Sequence, residues 1–189
     1  MMYMFDVETL GVESTCVILS AAIIKFDPTD LTKTYDDYIS EALFVKFSVE
    51  EQISKYKRTI DKDTIAWWSD QHDYVRKVSF IPKADDLTAV EGIDRLVDYI
   101  GNIPRETTFW ARGSLDQMSI DSLCKAAGKD LIAPYNVWRD IRTALDCLTT
   151  TSKNGYCDLN IPFDKGSNVI KHHPVHDCAY DIMMLVYGK

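Results

Sequence analysis

An acidic pair inside an apolar segment near the N-terminus constrains the fold more than any other feature of the sequence. Residues 2–7 form a short apolar run that stops at Thr9-Leu10-Gly11, the pattern of a β-strand followed by a break. Successive side chains of a strand alternate between its faces, so Asp6 and Glu8 point to one face. Two carboxylates on one face can bind hard divalent cations through oxygen. Two solvated acids at a strand end would give the same pattern, and D-x-E alone is common.

The rest of the chain alternates between strand and helix patterns. Residues 16–26 and 42–47 are apolar and rich in β-branched residues, and together with residues 2–7 they predict a three-strand meander with short links. A fourth strand is predicted at 108–111, and helices are predicted at 63–68, 87–100, 115–127, 140–148 and 174–186. Segment 154–171 is polar and contains glycine, which favours a loop.

This order of elements predicts an α/β fold in which helices flank a mixed central sheet, built from the three-strand meander and the α/β units that follow it. A fifth strand would complete such a sheet. Residues 137–138 and residues 168–170 are both candidates for it. The length of 189 residues fits a single domain over residues 1–189.

Composition limits the kind of protein. The net charge of −8 weighs against broad electrostatic wrapping of nucleic acid, although an enzyme that grips few nucleotides can use metal ions as its main positive charges. The five cysteines are odd in number and widely spaced, which argues against a disulfide framework or a closed zinc site. Free thiols, the lack of a signal-peptide pattern and the lack of a long apolar run predict a cytoplasmic protein without a membrane segment.

A second acidic candidate lies in the middle of the chain. The short apolar run 108–111 leads into Gly113, and Asp116 follows at the start of the predicted helix. Aspartate is also favoured at this place for helix capping alone, so the position does not by itself indicate chemistry. Asp121 lies one turn further into the helix, where we expect it to face solvent.

Three of the four histidines lie within five positions near the C-terminus, beside two acids. Two pairs, His172 with Asp177 and His176 with Asp181, have the same spacing. Pro174 fits the first turn of a helix, so His172 precedes the helix and can approach Asp177 within it. His176 and Asp181 would both lie in the helix, about 140° apart around its axis. We therefore select His172 and Asp177, and expect Asp181 to be a neighbour of the site or a solvated residue.

Together these motifs resemble those of the DEDDh exonucleases of the ribonuclease H-like superfamily. The family pattern is matched by Asp6 and Glu8, by Asp116, and by His172 with Asp177. Segments 58–71, 138–143 and 172–178 are similar to the branch that contains phage exodeoxyribonucleases and bacterial exoribonucleases. The resemblance covers nearly the whole chain. One departure is that more family members carry alanine where this chain has proline or cysteine around the histidine and the aspartate.

The resemblance implies a ribonuclease H-like fold and a metal-dependent 3′-to-5′ exonuclease that releases nucleoside monophosphates. Two divalent cations, Mg²⁺ or Mn²⁺, would be bound by the four carboxylates, and His172 would be the general base that deprotonates the attacking water. Thr9 and Leu10 would contact the terminal nucleotide. The partner would be the 3′ end of a single-stranded nucleic acid, DNA or RNA, with the phage-like resemblance favouring DNA. A phage-encoded enzyme would act in the host cytoplasm.

Other residues leave the details of substrate binding open. Trp67 and Trp68 could stack on a base, but adjacent positions of a helix point about 100° apart, so at most one is expected to do so and the core is favoured for both. Arg112, Arg139 and Arg142 could contact phosphates or pair with local acids. Two further functions stay open: a binding module with a degenerate site, against which the five filled positions argue, and a metal phosphodiesterase acting on small molecules such as short oligonucleotides.

Overall fold

The structure is a computed structural model that describes residues 1–166 and 169–189. Its five strands form one sheet in the order β3-β2-β1-β4-β5. Their bounds are β1 (Met2–Thr9), β2 (Ile18–Phe26), β3 (Leu43–Lys46), β4 (Thr108–Ala111) and β5 (Trp138–Asp140). β1, β2 and β3 pair antiparallel, and β4 and β5 run parallel to β1. The predicted mixed sheet is therefore confirmed.

The fifth strand overlaps the first of its two candidate positions at Trp138 and extends two residues beyond it, while Val137 belongs to the preceding 3₁₀ turn. It pairs with β4 in parallel and forms one edge of the sheet. Of the other candidate, at 168–170, Asn168 lies outside the described residues, and Val169 and Ile170 are not in a strand.

Helices cover both faces of the sheet. Their bounds are α1 (Tyr35–Glu41), α2 (Val49–Ser54), α3 (Lys62–Ser69), α4 (Asp73–Val75), α5 (Ala89–Ile100), α6 (Leu115–Ala126), α7 (Ile141–Leu148), α8 (Lys165–Asn168) and α9 (Pro174–Tyr187). A π-helical turn follows α4 at Arg76–Phe80, and a 3₁₀ turn precedes β5 at Tyr135–Val137. Among the residues that the structure describes, no helix is long and apolar enough to span a bilayer.

Two expectations about connections were wrong. The link between β2 and β3 contains α1, whose capping box at Thr34 and Asp37 begins the helix immediately before β3. The segment predicted to be a loop contains the single turn α8. Both helices are too short to show a helical hydrophobic pattern, so periodicity could not reveal them.

The alternation of side chains along β1 divides the core in two. Tyr3, Phe5 and Val7 pack on the face covered by α5 and α6. Met4 packs on the opposite face, against α9 and α1. Because Asp6 follows Met4 at the strand period, it belongs to the α9 face. The fold therefore directs the acidic end of β1 toward the helix that carries the C-terminal histidines.

Candidate active site

Asp6 and Glu8 lie on one face of β1 near its C-terminal end, as the strand period predicted. They pair in register with Ala22 and Ser20 of β2, and the register shifts directly after Glu8. Both side chains are partly exposed and line a cavity of about 510 Å³. Strand side chains project from the faces of a sheet, so both carboxylates project from one face into the cavity.

Asp116 reaches the same end of β1 from the first turn of α6. Gly113 allows the turn between β4 and α6 because its φ is +89°, which side-chain-bearing residues rarely adopt. The buried Asp116 carboxylate accepts a hydrogen bond from the Val7 N–H at 3.3 Å. Asp116 is thus bonded to the strand between the two acids, and a capping role within its own helix does not account for its position.

His172 and Asp177 approach each other at the start of α9. Pro174 is the first residue of that helix and His173 is its N-cap residue. His172 precedes them with a φ of +61°, a left-handed backbone that histidine adopts more readily than most residues. Metal-ligating atoms of Glu8, His172 and Asp177 all lie within 4.8 Å of one another. The proline-based argument therefore selected the pair that the structure brings to the cavity.

The alternative histidine is engaged elsewhere. His176 Nδ1 lies 2.7 Å from the Tyr35 hydroxyl, and its ring packs against the rings of Tyr35 and His173. This cluster lies on the α1 side of α9, and His176 does not line the cavity.

Asp181, left open by the sequence, is buried in an ion pair with Arg112. Arg112 Nε donates to Asp181 Oδ2 at 3.1 Å, and Nη2 donates to Oδ1. Arg112 Nη1 donates to the Gly155 carbonyl at 2.9 Å, and the guanidinium lies 4.1 Å from the Tyr156 ring centroid. Asp181 is therefore a buried neighbour of the site, one helical turn beyond Asp177, with its own counter-charge.

We call Asp6, Glu8, Asp116 and Asp177 the carboxylate cluster. Burial, followed by the charges of neighbouring acids, raises the pKa of Asp6 and of Glu8 well above the ordinary values. Burial also raises the pKa of Asp116 and of Asp177 to about 7. These four groups resist simultaneous ionisation, so their fully charged form requires added positive charge.

His172 shifts in the opposite direction. Burial, and then the nearby Lys171 ammonium, lower the pKa of His172 below its ordinary value. The imidazole is therefore neutral at physiological pH, the form that can accept a proton or bind a metal ion.

Comparison with known proteins decides the family. The family model described as "3'-5' exoribonuclease Rv2179c-like domain" matches residues 1–187. The exodeoxyribonuclease of Enterobacteria phage T4 is 31% identical over 206 residues, which cover 98% of this chain and 88% of that protein. The chain belongs to the Rv2179c-like exonuclease family. It is a 3′-to-5′ exonuclease that acts on nucleic acid.

A solved structure shares the fold of this Rv2179c-like exonuclease. The nuclease domain of 3'hExo, a DEDDh family member bound to rAMP in its crystal structure, matches with a TM-score of 0.58 and 13% identity. The match covers 97% of this chain and 90% of that chain. The resemblance inferred from the motifs is therefore confirmed at the level of the fold by this structure, and at the level of an exonuclease family by the family model and the phage relative.

The donor set of the Rv2179c-like exonuclease fits divalent metal ions, which DEDDh nucleases use. Carboxylate oxygens are the preferred ligands of hard cations such as Mg²⁺ and Mn²⁺. The cluster members Asp6, Glu8 and Asp177 provide such donors on the cavity wall, and Asp116 lies behind them, hydrogen-bonded to β1. Among the described residues, Asp6, Glu8 and Asp116 form no ion pair with a lysine or an arginine. A divalent ion would offset the burial and the mutual repulsion that raise the pKa of Asp6 and of Glu8.

The two tryptophans of α3 have different environments. Trp68 is 1% exposed, stacks on Phe80 and donates from Nε1 to the Thr9 carbonyl at 3.0 Å. Trp67 is 41% exposed, and its ring meets the His172 ring edge-to-face at 4.7 Å. The expectation that both belong to the core was wrong for Trp67, which lies at the surface beside His172.

The segment after the acidic pair is firmly held. Leu10 is buried with Val17 and Trp68, its N–H donates to the Val17 carbonyl, and its own carbonyl accepts from Asp61. Thr9 is partly exposed, and its hydroxyl donates to the Gly11 carbonyl at 2.6 Å. Of the two residues expected to contact the terminal nucleotide, Thr9 is the one with side-chain surface available for such a contact.

The remaining candidates take local partners. Arg142 donates to the Arg112 carbonyl at 2.7 Å, and Arg139 donates to the Asn136 and Trp138 carbonyls. Asp121 does not face solvent as expected, because it is partly buried and accepts from the Gln117 amide at 3.4 Å. These residues are not among those that line the cavity.

Proposed function

We propose that the chain removes nucleotides one at a time from the 3′ end of single-stranded nucleic acid, with DNA as the preferred substrate. The observation that carries the proposal is that Asp6, Glu8, Asp177 and His172 line one open cavity, with Asp116 bonded to β1 beside them. The similarity to a phage exodeoxyribonuclease supports DNA, and the description of the matching family model supports RNA as the alternative.

Asp6, Glu8, Asp116 and Asp177 are proposed to hold two Mg²⁺ or Mn²⁺ ions. When bound, two such metal ions stabilise the attacking and leaving oxygens of a phosphoryl displacement. The protein contributes by fixing the four carboxylates on β1, α6 and α9, which are rigid elements that meet at one point. The hydrogen bond from Val7 to Asp116 keeps the α6 acid in register with the β1 acids.

His172 is proposed to accept the proton of the attacking water. Its lowered pKa keeps the imidazole neutral, and its position beside Glu8 and Asp177 on the cavity wall supports this role. The Trp67 ring against one side of the imidazole limits its rotation. The same proximity would also permit His172 to ligate a metal ion, so its variants require a metal-binding readout beside activity.

We also propose that residues 1–189 act as a single exonuclease domain. The family model covers all but the last two positions, which supports this organisation. The five cysteines form no disulfide within the structure described, which fits a reducing cytoplasm, that of the host if the protein is phage-encoded.

The test is degradation of 5′-labelled single-stranded DNA and RNA of equal sequence, with Mg²⁺ or with Mn²⁺. We expect a ladder that shortens from the 3′ end, is abolished by EDTA and by Asp6→Ala, and forms faster on DNA. His172→Ala should lower the rate by about 10²–10⁴-fold, the usual contribution of a general base, while calorimetric Mg²⁺ binding is retained. Asp130→Asn, at an exposed acid outside the cavity, is the matched control.

If RNA is degraded faster than DNA, RNA is the preferred substrate. If the chain cuts neither polymer with either metal, the proposal fails for polymeric substrates. Cleavage of dinucleotides alone would then indicate a phosphodiesterase of short oligonucleotides, and binding without cleavage would indicate a binding module.

A further inference from the structure

We propose that Lys165 binds the 5′-phosphate of the nucleotide that the enzyme releases, and so retains the product and the reacting end of the substrate in the cavity. This inference rests on the proposed function, since it assumes that a nucleotide occupies the cavity beside the carboxylate cluster.

Lys165 lies on the cavity wall, held between two aromatic rings. Its Nζ is 4.3 Å from the Tyr180 ring centroid and 4.9 Å from the Tyr156 ring centroid. Cation–π contacts of this kind stabilise an ammonium group without neutralising it. The two tyrosines also line the cavity, so they hold the charge of Lys165 at the wall.

The charge of Lys165 has no partner of its own. Within residues 1–166 and 169–189, Lys165 forms no ion pair, whereas Arg112 on the same wall is committed to Asp181. Lys171 also lines the cavity, and its charge adds to the effect of burial in lowering the pKa of Lys165. Two ammonium groups that repel each other across one cavity are stabilised when an anion binds between them.

The reaction supplies such an anion. Hydrolysis leaves the released nucleotide with a terminal phosphate, which carries close to two negative charges at neutral pH. A lysine ammonium is a compact charge with three donors and suits a phosphate that changes orientation during the reaction. Two acids face Lys165, and neither is free to neutralise its charge. Asp181 pairs with Arg112, and Asp177 belongs to the proposed metal site.

The test compares the binding of dAMP and of deoxyadenosine in Mg²⁺ by isothermal titration calorimetry. Lys165→Met keeps an unbranched side chain between the two tyrosine rings and removes the charge. We expect the Kd of dAMP to rise about tenfold, equivalent to about 1.4 kcal/mol, while the Kd of deoxyadenosine is unchanged. Lys25→Met is the matched control, because Lys25 is exposed and pairs with Tyr3 at the opposite end of β1.

An equal loss for dAMP and deoxyadenosine would show that Lys165 only shapes the cavity, and would overturn the proposal. So would an unchanged Kd for dAMP, or a wild-type protein that binds no dAMP. Thermal melting of both variants separates these results from misfolding, and Lys165→Arg should bind dAMP within about threefold of the wild type because it keeps the charge. Wild-type protein that binds dAMP through Lys165 but degrades neither DNA nor RNA would refute the proposed function and leave the phosphate site standing.

Discussion

Replacing Asp116 with asparagine should make the metal-free protein more stable at pH 8. Asp116 is 6% exposed, and its carboxylate lies among other acids at the end of β1. An asparagine has nearly the same shape, and its oxygen can still accept the hydrogen bond from the Val7 N–H. The substitution therefore removes a buried charge without removing the contact that positions the side chain.

The magnitude follows from the pKa of Asp116. Burial raises it from 3.8 to about 7 in the folded protein, while the unfolded chain keeps the ordinary value. Below pH 3.8 both states are protonated and there is no penalty. Between the two values the folded state keeps a proton that the unfolded state releases, so stability falls as pH rises, and above pH 7 the penalty is complete. The difference corresponds to about 4 kcal/mol.

The acids of the cluster titrate together, so part of this penalty belongs to the cluster as a whole. We therefore expect Asp116→Asn to raise the free energy of unfolding by about 2–4 kcal/mol at pH 8 and by much less at pH 4. The melting temperature should rise by roughly 5–15 °C in EDTA at pH 8, as measured by circular dichroism. Exonuclease activity should be lost in the same variant. Asp130→Asn, which removes an exposed charge, should change stability by less than about 0.5 kcal/mol. An Asp116→Asn protein no more stable than the wild type at pH 8 would show that the ionised cluster is well solvated, and the reasoning would be refuted.

Three further predictions concern the surroundings of the cluster. Mg²⁺ should raise the melting temperature of the wild type more at pH 8 than at pH 5.5, because the cluster acids whose pKa is about 7 must lose their protons before they bind metal. An equal rise at both pH values would contradict this prediction. Arg112→Met should cost about 3–5 kcal/mol in urea unfolding, because it leaves the Asp181 carboxylate buried and unpaired, and the double variant with Asp181→Asn should recover most of that loss. Trp68→Ala should cost about 3–5 kcal/mol of stability, because Trp68 is buried. Trp67→Ala should cost much less stability and should instead slow cleavage, because Trp67 contacts His172. Comparable losses of stability in the two variants would contradict this prediction.

Much of the fold could be predicted because its main elements are long and strongly patterned. The strand at 108–111 has the predicted bounds, and the helices at 115–126 and 174–187 differ from prediction by one residue. Gly113 and Pro174 marked boundaries for physical reasons that hold in the structure, namely a left-handed turn and a first-turn proline. The short helices α1 and α8 could not be found, because one or two turns give no period to detect.

The site was predictable where it depends on local geometry. The two-residue period of β1 placed Asp6 and Glu8 on one face, and the break before Pro174 freed His172 to approach Asp177. The partner of Asp181 could not be predicted, because Arg112 comes from a distant strand end and sequence spacing carries no information on that contact. The same limit applies to the contact between Trp67 and His172, which joins residues far apart in the sequence.

The carboxylate cluster is assembled from β1, from α6 and from α9, so it exists only when segments far apart along the chain have met. During synthesis Asp6 and Glu8 leave the ribosome long before Asp177, and a nascent chain that lacks α9 has an acidic strand end but no complete site. If the four carboxylates hold the metal ions as proposed, hydrolysis can begin only after α9 has packed against β1. A nuclease of this kind, made beside messenger RNA and the ribosome, would in this way stay inert until α9 has packed.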